Sequence, residues 1–337
     1  FTYDGTAHSN AGYDVAGLVG EDAISAVVTG SITFPSESPV ANVVKSYEFT
    51  TGTPGNYSVT KADGELTMTP ASVEITITAA SDSKTYDGSA LTNSSVTVTS
   101  GTLLTGDTLV AEATGSATNV ADTETGNNTV KTGYKIMHGD EDVTANYDIT
   151  VVNGKLTITA TDEEFEISLD DDEYVYDAAE HANAKTASST ATTGTTTYSY
   201  SFEENGTYVS DLSSLTKVDA GEYTIYVKGT NPNYANEATT TAKLTITARP
   251  VTFTATSEEK EYTGSTITIN GLTVSSGENE GLVSGHTHNV EFSASGVEVD
   301  VYDGTITAKD DVKIMAGTED VTKNYDIKVV NGTLTIT

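Results

Sequence analysis

Lys135–Thr159 reads KIMHGDEDVTANYDITVVNGKLTIT, and Lys313–Thr337 reads KIMAGTEDVTKNYDIKVVNGTLTIT. Two near-copies this far apart make the chain a repeat protein, and the search for the period comes before any other reading. Working outward, LTIT or its variant LTMT starts at Leu66, Leu156, Leu244 and Leu334, so the spacings are 90, 88 and 90 residues. An Asn-Tyr pair precedes each one, at Asn56-Tyr57, Asn146-Tyr147, Asn233-Tyr234 and Asn324-Tyr325. An opening Tyr stands near the start of each repeat: Tyr3 in TYDG, Tyr86 in TYDG, Tyr176 in VYDA and Tyr262 in EYTG. Three independent markers keep one register four times. The 337 residues alone suggest two or three domains at about 150 residues each, and the period overrides that count.

The local pattern is that of strands. Val73–Thr78, Leu156–Thr159 and Leu244–Thr247 each put Leu, Ile or Val on one face and Thr or Glu on the other, a period of two that suits a strand with one wet face. No run carries apolar residues at helical spacing over several turns. About 90 residues of short alternating strands and turn residues fit a seven-strand sandwich. The sharpest sign is Asp219-Ala220-Gly221-Glu222-Tyr223-Thr224-Ile225-Tyr226-Val227, where Asp-x-Gly-x-Tyr leads into a strand. That is the sequence form of the tyrosine corner of immunoglobulin folds, and it places Tyr223, Ile225 and Val227 on one face. Asp-Gly in the opening TYDG supplies a turn, with Gly taking positive φ. Asn153-Gly154 and Asn331-Gly332, set between alternating runs, predict tight hairpins.

These residues carry a family resemblance. The Tyr-Asp-Gly opening, DVTxNYxI and the closing GxLTIT resemble the tandem mostly bacterial immunoglobulin-like modules, of MBG and YDG types, found in bacterial surface proteins. Repeat three, with DAGEYTIYVKGT, resembles the MBG type; repeats two and four are similar to the YDG type. The resemblance implies an extracellular, cell-surface protein whose modules form a stalk, and it implies no catalytic residues. Repeat one departs most, and its middle, residues 11–44, has no clear match. The expected fold class is therefore all-β, four tandem immunoglobulin-like β-sandwich modules in an elongated rod, with modules at 1–70 (shortened at its start, as if cut from a longer array), 71–160, 161–248 and 249–337. Taking a sandwich as about 40 Å long, the rod would measure of order 150 Å. The joints Ala160-Thr161 and Ala248-Arg249-Pro250 are short, and Pro250 biases the residues before it toward extended backbone.

Composition closes off several functions. The 16 Lys plus Arg against 49 Asp plus Glu leave a net charge of −33, which repels a phosphate backbone, so nucleic acid is excluded as a partner. Spread over four modules, about −8 each, the charge keeps surfaces from sticking to one another. There is no Cys, hence no disulfide, thiolate metal site or thiol nucleophile. No run approaches the roughly 20 apolar residues of a membrane span, so no membrane insertion is expected in this segment.

The candidate chemistry is thin, and no catalytic, cofactor-binding or metal-ligating residue is assigned. His286-Thr287-His288 puts two His on one strand face but offers no third ligand. The acidic runs Asp170-Asp171-Asp172-Glu173 and Asp140-Glu141-Asp142 offer the oxygens that calcium takes, yet neither matches the spaced EF-hand loop; a solvated surface is the plainer reading. Glu203-Glu204 and Glu258-Glu259 are neighbours in sequence, so in a strand they point to opposite faces and make no acid/base couple. Lys84 with Asn146, and Lys260 with Asn324, are conceivable partners for isopeptide bonds. The leading expectation is a non-enzymatic stalk segment whose partners are its neighbouring modules. The alternative is an adhesin module that binds a host glycan or protein, with Tyr198-Ser199-Tyr200 available to stack on sugar rings and repeats one and three as the places to look.

Overall fold

The computed structural model describes residues 1–307 and 310–337. The regular structure is strands joined by single 3₁₀ turns, so the all-β expectation is met in tandem β-sandwich repeats. The chain divides into two compact units, Phe1–Thr161 and Asp162–Thr337.

In the first unit, Val40–Thr51 pairs antiparallel with Ala23–Thr29 and with Gly64–Leu66. Beyond them Val73–Ala79 lies between Tyr147–Val152, parallel, and Val96–Ser100, antiparallel. Leu156–Thr159 runs parallel to Asp82–Thr85, and Lys135–His138 bridges Asp107–Val110 and Glu141–Asp142. The period-two reading holds: Ile75, Ile77 and Ala79 are buried while Glu74 is exposed. One hydrophobic core runs from Tyr3, Ile32, Leu66 and Met68 into Ile75, Ile77, Ile136, Val143 and Tyr147, so the first two repeats share their interior.

In the second unit, Ala238–Thr247 lies between Asp172–Val175, parallel, and Gly221–Thr230, antiparallel, and the latter pairs with Thr197–Ser201. The predicted corner is present: Tyr223 donates its hydroxyl to the Asp219 carbonyl at 2.8 Å, and Ile225 and Val227 are buried beneath it. Repeat four has a corner that its sequence does not announce, Tyr302 donating to the Glu298 carbonyl at 3.0 Å. Arg249–Ala255 pairs parallel with Tyr325–Val330, and Glu258–Lys260 parallel with Thr333–Ile336.

The Asn-Gly hairpins are a misreading. Tyr147–Val152 and Leu156–Thr159 belong to different sheets and pair with Val73–Ala79 and Asp82–Thr85, not with each other. Asn153-Gly154 is the crossing from one sheet to the other. Gly154 is required there because a Cβ would lie 2.1 Å from the Ala80 carbonyl oxygen; at Gly332 it would lie 2.3 Å from that of Thr256. Close backbone approach, and not turn handedness, selects glycine here.

Candidate functional site

Part of the buried polar chemistry lies at the seams between successive repeats inside each unit. Each repeat opens with a Tyr, and all four are anchored alike. The N–H of Tyr3, Tyr86, Tyr176 and Tyr262 donates to the carbonyl of Thr69, Thr159, Thr247 and Thr337, the last Thr of each LTIT or LTMT, at 3.1, 2.8, 3.0 and 2.9 Å. The next residue turns the chain. Asp4, Asp87 and Asp177 accept the N–H two residues on at 2.8–2.9 Å, and Thr263 does the same more weakly at 3.3 Å. The residue after that has φ between 65° and 83° in all four: Gly5, Gly88, Ala178 and Gly264.

The receiving half is a three-part clamp built by the Asn-Tyr pair. Each of Pro54–Asn56, Thr144–Asn146 and Thr322–Asn324 is one 3₁₀ turn that ends on the Asn. The Tyr that follows accepts a backbone N–H and hydrogen-bonds to a side chain three residues further along that same backbone. Tyr57 accepts from Val19 at 3.2 Å and donates to Asp22 at 2.5 Å. Tyr147 accepts from Leu104 at 2.9 Å and donates to Asp107 at 2.6 Å. Tyr325 accepts from Val283 at 3.0 Å and pairs with His286 Nδ1 at 2.7 Å. The DVT motif holds the turn in place: Asp142 Oδ1 accepts the Thr144 hydroxyl at 2.6 Å, and Thr144 Oγ1 accepts the Ile136 N–H at 2.9 Å.

In the first unit Tyr3 enters this clamp. Its hydroxyl donates to Asp107 Oδ1 at 2.6 Å, and His138 Nδ1 lies 2.7 Å from the same oxygen. The Asp107 side chain is fully buried, and three partners satisfy it. Burial, and then the Asp107 carboxylate, push both the Tyr3 and the Tyr147 hydroxyls above the ordinary phenol range. Asn146 closes the seam by accepting the Ala71 N–H at 3.1 Å, and Ser36 donates across it to Glu141 at 2.7 Å.

In the second unit Tyr176 packs edge-on to Tyr325, with ring centroids 5.6 Å apart. The linker here is two residues shorter between its flanking Leu and Tyr markers, and the corner of repeat three takes the place of Ala71. Ala220 N–H donates to Asn324 Oδ1 at 2.8 Å, while Asn324 Nδ2 and Lys323 Nζ donate to Asp219 at 2.9 and 2.7 Å. Those two donors, Lys323 first, hold the Asp219 carboxyl below its usual range. Arg249, at the joint itself, is buried and donates to four carbonyls, those of Gly277, Glu278, Glu280 and Gly281, at 2.9–3.1 Å.

The sequence candidates resolve into structure. His286 belongs to the clamp just described, and burial lowers its pKa. His288 instead packs on Phe253 at 4.8 Å, so the two do not converge on one ligand. Asp171 and Asp172 accept the N–H groups of Lys243 and Ala184 at 2.7 and 2.8 Å; Asp142 pairs with Lys135 at 2.9 Å. Among the described residues no three His, Cys, Asp or Glu side chains cluster as a metal would need. Lys84 pairs with Asp87 and Ser89 at 2.7 Å, and Lys260 with Glu258, so neither is directed at an Asn. Tyr200 is buried and Tyr198 packs on the same core, leaving neither ring free for a sugar. In repeat one a cavity of about 470 Å³ is lined by Tyr13, Tyr47, Tyr57, Leu18, Asn56 and Lys61 among others. Asp107 was missed in the sequence, and Asn146 was read as a repeat marker and a conceivable isopeptide partner and not as part of a clamp, although Leu-x-x-x-Asp at Leu18 and Leu103 accompanies it.

No protein-family model matches the chain, and no curated protein is similar to it in sequence. Among solved structures, "Sidekick-1 immunoglobulin domains 1-5" is 10% identical with a TM-score of 0.24, over 99% of this chain and 79% of that one. Drosophila N-cadherin EC1-4 is 7% identical with a TM-score of 0.21, over 99% and 96%. Three N-terminal domains of the bacteriophage RB49 outer capsid protein Hoc are 13% identical with a TM-score of 0.22, over 79% and 98%. Likeness at this level adds nothing to what the chain's own residues show. Among the described residues no helix is long and apolar enough to cross a membrane.

Proposed function

We propose that this chain is a non-enzymatic spacer: four immunoglobulin-like sandwiches, each about one repeat long, in the stalk of an extracellular, bacterial surface protein of adhesin type. The observation that carries this reading is where the buried polar groups go. Asp107, Asn146 and Asn324 are spent on locking one repeat to the next, and a buried, fully partnered polar network rigidifies what it joins. A spacer must resist bending at its joints, and a shared apolar core crossed by such a lock supplies that resistance. The resemblance to MBG and YDG modules and the net charge of −33 support the same role. Small-angle scattering is the direct test: four sandwiches of about 40 Å end to end give a maximum dimension of order 150 Å, and a compact particle overturns the spacer.

One observation favours a second reading, in which repeat one binds a host glycan or protein. Its cavity carries Tyr13 and Tyr47, 41% and 40% exposed, beside Lys61, and exposed aromatic rings suit a sugar face. A glycan array decides: reproducible hits lost in Tyr47→Ala support binding, and a blank array removes it.

A further inference from the structure

One position of the clamp is filled by different chemistry in the two seams. Three residues after the N–H that the clamp Tyr accepts stands the side chain that its hydroxyl meets. That side chain is Asp107 for Tyr147, at 2.6 Å, and His286 for Tyr325, at 2.7 Å. The carboxylate of Asp107 has lone pairs for several donors: it also takes Tyr3 at 2.6 Å, and His138 Nδ1 stands 2.7 Å away. His286 Nδ1 offers one lone pair, and only while the imidazole is neutral.

The hydrogen bonds around Tyr325 assign that tautomer. Its hydroxyl oxygen accepts the Val283 N–H at 3.0 Å, and burial holds the phenol protonated by pushing its pKa up. The phenol proton therefore has His286 Nδ1 as its acceptor, which puts the imidazole proton on Nε2. A second proton, added at Nδ1, turns that acceptor into a donor. The Tyr325 oxygen can take both N–H groups, but the phenol proton is then left buried with no acceptor, which is costly. The surrounding charges do not compensate. Among the described residues no carboxylate pairs with His286, and desolvation is what lowers its pKa. Arg249, a buried cation, acts on the same Tyr325 hydroxyl. From repeat three the ring meets Tyr176, at 6.3 Å between centroids, while Asp219 is already paired with Lys323 and Asn324. On the neighbouring strands Lys313 is paired with Asp311 and Asp320, and Glu319 is exposed. Glu278 and Glu280, before the ring in the chain, are exposed as well.

We propose that the seam between repeats three and four is an acid-sensitive joint: protonation of His286 removes the acceptor of the Tyr325 hydroxyl and opens the clamp, while the seam between repeats one and two stays locked. The sign follows from the direction of the shift. The folded state favours the neutral ring, so the stability that His286 contributes is present above the unfolded imidazole value near 6.5 and is lost as pH falls below it. At pH 5.0 the loss is bounded at about thirtyfold, the factor by which an unfolded imidazole gains protons there. The first seam responds differently. A protonated His138 still faces the Asp107 carboxylate, and Tyr3 and Tyr147 keep their acceptor. This acid response follows from the clamp alone and does not require the spacer role.

Amide hydrogen exchange on the whole chain, with each rate corrected for the intrinsic effect of pH, tests this. From about pH 7.5 to about pH 5.0, peptides carrying Val283 and Ala220 should lose protection by about five- to thirtyfold. Peptides carrying Leu104 and Ala71 should keep theirs within about twofold. His286→Asn sets an amide oxygen where Nδ1 stands and does not titrate. It should keep the protection seen at neutral pH and lose the acid response, although His181 and His288 are still in place. A loss at the second seam no greater than at the first, or an acid response that survives in His286→Asn, overturns the proposal. Nitrogen NMR of the imidazoles in the unaltered chain gives a check that needs no substitution. His286 should carry its proton on Nε2 at neutral pH, and a proton on Nδ1 sinks the idea.

Discussion

Ala178 sits at φ 65°, in the position that Gly5, Gly88 and Gly264 occupy in the other repeats. A Cβ there crowds the following carbonyl, and glycine escapes that cost at some loss of chain entropy. Ala178→Gly should stabilise the second unit by about 0.5–1 kcal/mol, read as a raised denaturation midpoint. Tyr3 tests the buried carboxylate. Its folded-state pKa is raised, so the stability it contributes is fully present below the unfolded phenol value near 10 and is lost as pH rises toward the folded value. The first unit should weaken above about pH 10. Tyr3→Phe should cost about 1–2 kcal/mol at neutral pH and flatten part of that alkaline loss, because Tyr147 still contributes. An unchanged alkaline slope in urea titrations would contradict this.

At the scale of elements, strand identity follows from alternation and strand partnership does not. Val73–Ala79 announces one buried face, yet nothing local says that it pairs in parallel with Tyr147–Val152, 70-odd residues away. Asn-Gly suggested a local partner, and the tertiary fold chose a distant one. The joint before Arg249–Ala255 shows the same logic. One Arg side chain ties four carbonyls of residues 277–281 to the start of that strand. Arg249→Met keeps the stem but removes the donors, and should destabilise the second unit by about 2–3 kcal/mol; a loss within 0.5 kcal/mol would show those carbonyls to be satisfied by water.

For the whole molecule, repeat number and cooperative number differ. Four sequence repeats fold into two compact units, and the core of the first unit is shared across its repeats. In the second, repeat three keeps a core of its own around Ile225 and Leu244, and its Tyr176 and Ile246 lie in the core of repeat four. A repeat whose interior is completed by its neighbour cannot melt alone, so calorimetry of the full chain should resolve at most two transitions. Four resolved transitions would refute the shared cores.

The fold class was legible in the residues themselves because alternation, period and the Asp219–Tyr223 corner are local: each constrains its own few residues and needs no partner. The seam was half legible. Its markers, the opening Tyr and the Asn-Tyr pair, stand out by repetition, but their roles depend on atoms about 40 and 104 residues apart meeting at Asp107. The sequence alone determined that there are strands, where they lie and that they repeat. Only the tertiary structure decided which strands pair, why Gly154 must be glycine, and that the polar residues of the chain lock repeats together. Those outcomes follow from close packing between distant segments, which no stretch of one strand's length can encode.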